Sequence, residues 1–173
     1  MLAKKYRERG FVIACLDEAT FGLIPNIVRG WARRGSRPVA IHNFQHKWTN
    51  VFGARSKRSF VFSFSKKKNQ RVFIEFLKKL VKRWGKLCLF IDGAPYHRGK
   101  RVKAFAKGRR KTIKLVYFPK YSPDINPIEQ CWKPARKVLG NRLVKSIPAM
   151  KYHLCKTFGN RFFLPKMFDY LSY

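Results

Sequence analysis

Residues 87–95, LCLFIDGAP, join a fully apolar run to a carboxylate and then to a sharp turn. An uninterrupted apolar run of this kind is typical of a strand buried on both faces of a sheet. Asp92 ends the run, and Gly93 and Pro95 break the chain direction directly after it. The stretch therefore predicts a central strand that ends in an acidic side chain.

A second stretch near the start of the chain has the same form. Residues 11–17, FVIACLD, are an apolar run that again ends in a carboxylate, Asp17. If the two strands are parallel neighbours, their carboxyl ends place Asp17 and Asp92 at the same sheet edge, where open α/β sheets usually hold their sites. Cys15 and Cys88 lie inside the two runs, and we expect them to be reduced core residues.

The rest of the chain predicts three more strands and several helices around these two runs. The predicted strands are 47–54, 59–64 and 113–118, and the predicted helices are 69–84, 98–107 and 147–158. Asn126, Pro127 and Glu129 have the types expected of a helix cap, a first position and a third position. The predicted fold class is α/β, with a mixed five-stranded sheet and helices on both faces.

The composition indicates one basic domain with a polyanionic partner. The chain has 173 residues, of which 46% are hydrophobic, so we expect a single domain over residues 1–173. Forty Lys and Arg face eight Asp and Glu, and DNA or RNA is the usual partner for such a charge of +32. No apolar run approaches the roughly 20 residues of a spanning helix, so an intracellular location without a membrane is expected.

Three of the few carboxylates, Asp17, Asp92 and Glu129, have positions that suit metal chemistry. Mg²⁺ prefers oxygen ligands, and a pair of such ions can serve both the attacking and the leaving oxygen of a phosphoryl displacement. Other interpretations stay open, because Asp92 with its following Gly is a common turn pair and Asn126 with Glu129 is also a capping-box pattern. A metal site at His42 and His46 is disfavoured, since no third ligand lies nearby in the sequence.

Three blocks of this sequence resemble a known family. They are residues 16–21 (LDEATF), 90–97 (FIDGAPYH) and 118–133 (FPKYSPDINPIEQCWK), and they resemble the catalytic blocks of the DDE transposases of the insertion-sequence-630 and mariner superfamily. The third block is the most specific. The resemblance implies a ribonuclease H-like fold with Asp17, Asp92 and Glu129 as the catalytic triad, which would bind two Mg²⁺ or Mn²⁺ ions. It also implies cleavage at transposon ends and strand transfer into target DNA.

The resemblance further implies double-stranded DNA as partner, a homodimer on that DNA, and a prokaryotic, cytoplasmic and nucleoid-associated location. Family members carry N-terminal helix-turn-helix modules, and only ten residues precede Phe11. We therefore expect those modules to be absent from this chain. Several explanations stay open: a separate helix-turn-helix chain from an upstream reading frame, two halves of an element joined by frameshifting, a remnant of a decayed copy, or a protein with a different job. The alternatives are a non-catalytic DNA-binding remnant of a transposase, or a ribonuclease H-like nuclease acting on RNA or on DNA junctions.

Basic residues after Asp92 are the favoured contacts to the DNA backbone. The candidates in this stretch are Arg98, Lys100, Arg101, Lys103, Arg109 and Arg110. His97 could contact DNA, orient the site or simply pack. Trp31 could stack on an unpaired base, although a core position in a hairpin is the favoured interpretation. Pro134 is expected to kink the helix that carries Glu129.

Overall fold

A computed structural model describes residues 2–24, 27–39, 41, 43–119, 125–160 and 163 of the chain. Its elements, in chain order, are α1 (Leu2–Glu8), β1 (Val12–Gly22), β2 (Trp48–Ser56), β3 (Phe60–Ser65), α2 (Gln70–Trp84), β4 (Leu87–Ile91), a 3-10 turn (Pro95–Arg98), α3 (Lys100–Gly108), β5 (Ile113–Tyr117), α4 (Glu129–Leu139) and α5 (Ile147–Phe158). Within these described ranges, no helix is both long enough and apolar enough to cross a bilayer.

The five strands form one mixed sheet in the order β3-β2-β1-β4-β5. The first three pair in antiparallel fashion as a meander, whereas β4 pairs in parallel with both β1 and β5. This confirms the predicted sheet and its number of strands. The apolar runs that predicted β1 and β4 are neighbours at the centre, because strands buried on both faces gain most from a central position.

Strand β1 is longer than the sequence predicts, and Asp17 lies inside it. Its parallel pairing with β4 stops at Cys15, opposite Phe90, while its antiparallel pairing with β2 continues to Gly22. The expectation that β1 ends at Asp17 is therefore wrong. The apolar run stops where β1 loses its neighbour β4, but the hydrogen bonds to β2 keep the backbone extended beyond that point.

Helices cover both faces of the sheet, as predicted. Helices α2 and α3 pack with Ala14 and Leu16 of β1 on one face. The other face carries α1 against Ile13 and Cys15, and carries α4 and α5 further along β1. Because successive strand residues point to opposite faces, neighbours in β1 enter different cores.

Helix α2 begins and ends close to its predicted limits. The Asn69 side chain accepts a hydrogen bond from the Val72 amide at 3.0 Å, which caps the first turn. Gly85, at a φ of 72°, ends the helix and donates its amide to the Val81 carbonyl at 2.8 Å.

Helix α4 starts later than the sequence predicts. It begins at Glu129, so Asn126 is not its cap, and Pro134 lies inside a helix that runs on to Leu139. The buried Asn126 side chain is instead turned toward β1, where its amide nitrogen lies 3.5 Å from the Leu16 carbonyl oxygen. The contact ties the start of α4 to the strand residue that precedes Asp17. The kink expected at Pro134 stays a prediction.

The segment between β1 and β2 is irregular wherever it is described. In residues 27–39, 41 and 43–47 neither helix nor strand is formed. Trp31 is fully exposed, so the interpretation as a core residue in a hairpin is wrong. A helix or strand is stabilised by burying an apolar face, and this segment buries none of Ile27, Val39 and Phe44, which are all exposed.

Candidate active site

The three predicted acids lie at one edge of the sheet. Asp92 follows the last residue of β4, and continuing the register of Cys15 opposite Phe90 by two residues brings Asp17 level with Asp92. Glu129 is the first residue of α4, whose preceding turn is held to β1 by Asn126.

Asp17 is held in a crowded, poorly hydrated position. The indole Nε1 of Trp132 donates a hydrogen bond to Asp17 Oδ2 at 2.9 Å. Burial raises the pKa of Asp17 to about 7; the Trp132 hydrogen bond opposes that rise, and the charges of Glu129 and Glu18 add to it. The repulsion from Glu129 shows that these two predicted acids are close enough to interact strongly.

Asp92 is more exposed, and its partners favour its charged form. Its Oδ1 lies 2.6 Å from His97 Nδ1 and accepts the Ala94 amide at 3.1 Å. The hydrogen bond from His97 lowers the pKa of Asp92, against an opposing effect of burial, and the charge of Lys68 contributes to the lowering. The carboxylates of Asp17 and Asp92 thus have pKa values shifted in opposite directions.

His97 is completely buried between two carboxylates. Its Nε2 lies 3.1 Å from Glu18 Oε1, on the opposite side of the ring from Asp92. Burial alone would lower the pKa of His97, but the hydrogen bonds to Asp92 and Glu18 raise it to about 9. The expectation that His97 contacts DNA is wrong for this structure, because no part of its side chain reaches the surface.

A tight contact between β2 and α4 fixes Trp132 beside Asp17. Gly53 is the β2 residue opposite Asp17, and a Cβ at Gly53 would lie 2.5 Å from Trp132 Cη2. Trp132 is itself buried, with the Phe21 and Phe60 rings edge-on to it. The absence of a side chain at Gly53 is what lets the indole approach the strand closely enough to reach Asp17.

Several residues of this site were not identified from the sequence. In the sequence, Glu18 and Trp132 stand only inside the two blocks 16–21 and 118–133, with no pattern that marks either as a site residue. The available signal for Glu18 was the alternation of a strand, which turns Asp17 and Glu18 to opposite faces. The roles of Trp132 and Gly53 depend on the register between β1 and β2, which the sequence does not specify.

The donor types fit a hard divalent cation, although the protein alone does not form a closed cage. Across the described ranges, no three His, Cys, Asp or Glu side chains lie close enough to hold one ion together. Mg²⁺ is usually bound through one or two carboxylates, with substrate phosphates and water completing its shell. Asp17 and Asp92 at one edge satisfy that requirement, and the repulsion between Asp17 and Glu129 is of the kind that a cation relieves. His42 lies outside the described residues, and His46 is exposed.

Basic side chains adjoin the acidic edge. The Arg98 guanidinium lies 4.6 Å from the centroid of the Tyr117 ring. It is also close to Gly93, because a Cβ atom added to Gly93 would lie 2.9 Å from Arg98 Nη2. Lys68, which was not selected from the sequence, is near enough to influence Asp92. The other candidates, Lys100, Arg101, Lys103, Arg109 and Arg110, are all exposed along or after α3. Arg109 lies about 13 Å along the axis of α3 from Lys100, at its start, and is therefore well away from Arg98.

Comparisons with known proteins agree with this architecture. A family profile described as "DDE superfamily endonuclease" matches residues 12–151. The chain is 28% identical over 124 residues to the insertion element IS630 uncharacterized 39 kDa protein of Shigella sonnei, covering 68% of this chain and 35% of that protein. It therefore spans about a third of that relative.

Solved structures of the Mos1 mariner transposase have the same fold. The Mos1 paired-end complex with Mn matches with a TM-score of 0.72 at 18% identity, covering 94% of this chain and 54% of that one. The Mos1 catalytic domain matches with a TM-score of 0.65 at 15% identity, covering 94% and 79% of the two chains. The predicted ribonuclease H-like fold is thereby confirmed.

Proposed function

Because this chain belongs to the DDE superfamily of endonucleases, we propose that it is the catalytic domain of a transposase. In this proposal it cuts phosphodiesters at transposon ends and joins the freed ends to target DNA, with divalent metal held by Asp17, Asp92 and Glu129. The observation that carries the proposal is the placement of these acids: extending the register of Cys15 opposite Phe90 puts Asp17 level with Asp92, and the charge of Glu129 acts on Asp17.

Each acid has a separable role in this proposal. Asp92 is half exposed and kept in its charged form, so it is the carboxylate most accessible to a cation arriving with DNA. Asp17 is buried beside Glu129, and a shared cation offsets the repulsion between the two. Two bound Mg²⁺ or Mn²⁺ ions would supply activation of the attacking oxygen and neutralisation of charge on the phosphodiester. The Mos1 structures with Mg and Mn support divalent metal use in proteins of this fold.

The basic surface would hold the DNA against the acidic edge. Arg98 and Lys68 are the cations beside Asp92, and the exposed residues of α3 continue the positive surface away from it. Contacts to phosphates position a duplex without reading its sequence. We therefore expect this part of the protein to bind double-stranded DNA with little sequence preference and with a strong dependence on salt. The exposed Trp31 remains a candidate for stacking on an unpaired base.

The larger assembly is also part of the proposal. Mos1 transposase has been solved as a paired-end complex, in one case with its left transposon end, which supports DNA as the partner. A homodimer on DNA, helix-turn-helix modules from a separate chain and a nucleoid-associated location in a prokaryotic cytoplasm stay predictions. The organisation of residues 1–173 as one domain also stays a prediction.

A plasmid-nicking assay tests the catalytic proposal. Supercoiled plasmid is incubated with Mg²⁺ or Mn²⁺ and with the parent protein, Asp92→Asn, or the charge-matched control Glu75→Gln on the exposed face of α2. The parent and the control should convert supercoiled to nicked plasmid. Asp92→Asn should be slower by about 10²- to 10³-fold, since losing metal stabilisation costs several kcal/mol at the transition state.

The same assay separates the remaining interpretations. Tight DNA binding without nicking in either metal would identify a non-catalytic remnant. If nicking occurs, mapping the products decides between strand transfer and simple hydrolysis. Only joined products support the transposase over a ribonuclease H-like nuclease.

A further inference from the structure

Glu18 is a buried acid outside the three carboxylates of the proposed site. Its side chain is 3% exposed and lies on the face of the sheet covered by α2 and α3, opposite to Asp17. A buried carboxylate is costly unless it is paired and hydrogen-bonded. Glu18 meets that requirement, because Oε2 accepts the Tyr96 hydroxyl at 2.7 Å and Oε1 faces His97 Nε2.

His97 links this buried acid to Asp92. Both ring nitrogens lie within hydrogen-bond distance of a carboxylate oxygen, 2.6 Å for Nδ1 to Asp92 and 3.1 Å for Nε2 to Glu18. Each ring nitrogen of His97 therefore has one carboxylate oxygen as its partner, and the ring connects Asp92 to Glu18.

Packing leaves the His97 ring a single orientation. The Phe73 ring of α2 lies 4.4 Å away between centroids, and the Tyr96 ring lies 4.3 Å away. The Tyr117 hydroxyl of β5 donates to the His97 carbonyl at 3.0 Å and fixes its backbone. His97 is thus held by β1, α2 and β5 at once, while the carboxylate that it contacts is half exposed.

We propose that the Glu18–His97 pair positions Asp92 for metal binding. His97 and the Ala94 amide both engage Oδ1, and among the described residues Asp92 Oδ2 has no hydrogen-bond donor. The bridge therefore restrains the rotation of the exposed carboxylate and leaves Oδ2 free of hydrogen bonds from the described residues. Glu18 anchors the far side of His97, and so acts on the site without touching substrate. This inference rests on the proposed function only for the identity of the metal site.

A pair of amide substitutions separates positioning from simple packing. In His97→Asn the amide nitrogen can occupy the place of Nδ1 and still donate to Asp92, whereas in His97→Gln it reaches the place of Nε2 and Glu18 instead. Both variants remove the same charge and leave an uncharged amide. The readout is Mn²⁺ binding by the 173-residue chain without DNA, measured by electron paramagnetic resonance of the unbound ion.

We expect His97→Gln to bind Mn²⁺ about 10-fold or more weakly than the parent, which is the range for losing an orienting partner of a metal ligand. His97→Asn should bind several-fold more tightly than His97→Gln. Equal affinities for the two variants, or parental affinity in both, would overturn the proposal, as would a parent that binds no Mn²⁺.

Glu18 variants give a second comparison if either His97 variant fails to fold. Glu18→Gln keeps an acceptor for His97 Nε2 and should bind Mn²⁺ within about threefold of the parent, whereas Glu18→Leu should resemble His97→Gln. The stability control is Leu80→Ala, which empties a buried position of the same core about 10 Å along α2 from Phe73. If Leu80→Ala loses as much Mn²⁺ affinity as Glu18→Leu, the Glu18–His97 pair affects the site only through core packing, and the proposal is wrong.

The outcome is independent of whether the chain cuts DNA. A parent that binds Mn²⁺ but never nicks plasmid would contradict the proposed function, while the ranking of the His97 variants would still decide the positioning role. Conversely, if the parent nicks plasmid and the His97 and Glu18 variants bind Mn²⁺ as the parent does, the proposed function is supported and the positioning role is contradicted.

Discussion

Replacing Asp17 by Asn should abolish metal-dependent nicking and, at the same time, make the folded protein more stable. Asn keeps an oxygen that can accept the Trp132 indole hydrogen bond but removes a charge that is buried beside Glu129 and Glu18. Without divalent metal at pH 8, the free energy of unfolding should rise by roughly 1–3 kcal/mol. The rate of nicking should fall by at least about 10²-fold.

The pH dependence of that stabilisation follows from the direction of the pKa shift. Folding raises the pKa of Asp17 from its ordinary value of 3.8 to about 7. The free energy of unfolding of the parent therefore falls as the pH rises from 3.8 to 7. The advantage of Asp17→Asn should be absent below pH 3.8, grow between pH 3.8 and 7, and stay constant above pH 7. Thermal unfolding across this range measures it. A variant less stable than its parent at pH 8 would show that Asp17 is not a repelled buried charge.

Replacing Gly53 by Ala should strongly disturb both the core and the acidic edge. The added Cβ would lie 2.5 Å from Trp132 and 2.9 Å from Phe60, distances that force the side chains or the backbone to move. Overpacking of this kind costs typically about 1–3 kcal/mol of folding free energy. Displacing Trp132 also weakens its hydrogen bond to Asp17, so nicking should fall more than the loss of stability alone explains.

Two variants control the Gly53 prediction. Gly108→Ala, at the end of α3, places its Cβ where no heavy atom lies within 4 Å, and it should be neutral or slightly stabilising. Adding Trp132→Phe to Gly53→Ala shortens the clashing side chain and should recover part of the lost stability in urea unfolding. If the two substitutions change the free energy of unfolding additively, Gly53 is not required for the close approach of Trp132.

The main features of the fold were predictable because they depend on local patterns. The apolar runs that end at Asp17 and Asp92 identify the two central strands, since strands buried on both faces lack alternation. The helical spacing in α2 and its ends at Asn69 and Gly85 follow from cap chemistry. The order of these elements then implied a mixed sheet.

Other features depended on contacts between distant parts of the chain and were not predictable. The extension of β1 beyond Asp17 depends on pairing with β2, and the late start of α4 depends on the Asn126 contact to Leu16. The exposed segment that contains Trp31 lacks a strong pattern of either kind. The Glu18–His97 bridge needs β1 and the turn after β4 to meet, a relation that spacing alone does not specify.

The most direct test of the account is anomalous X-ray diffraction from crystals of this protein soaked in Mn²⁺. We expect a Mn²⁺ peak at the edge where β1 and β4 separate, with carboxylate oxygens of Asp17 and Asp92 in its coordination shell and Glu129 adjacent to it. The peak should disappear in Asp92→Asn crystals and persist in Glu75→Gln crystals. A Mn²⁺ ion held only by other residues, or no peak at this edge in the parent, would contradict the assignment of these three acids as a metal-dependent active site.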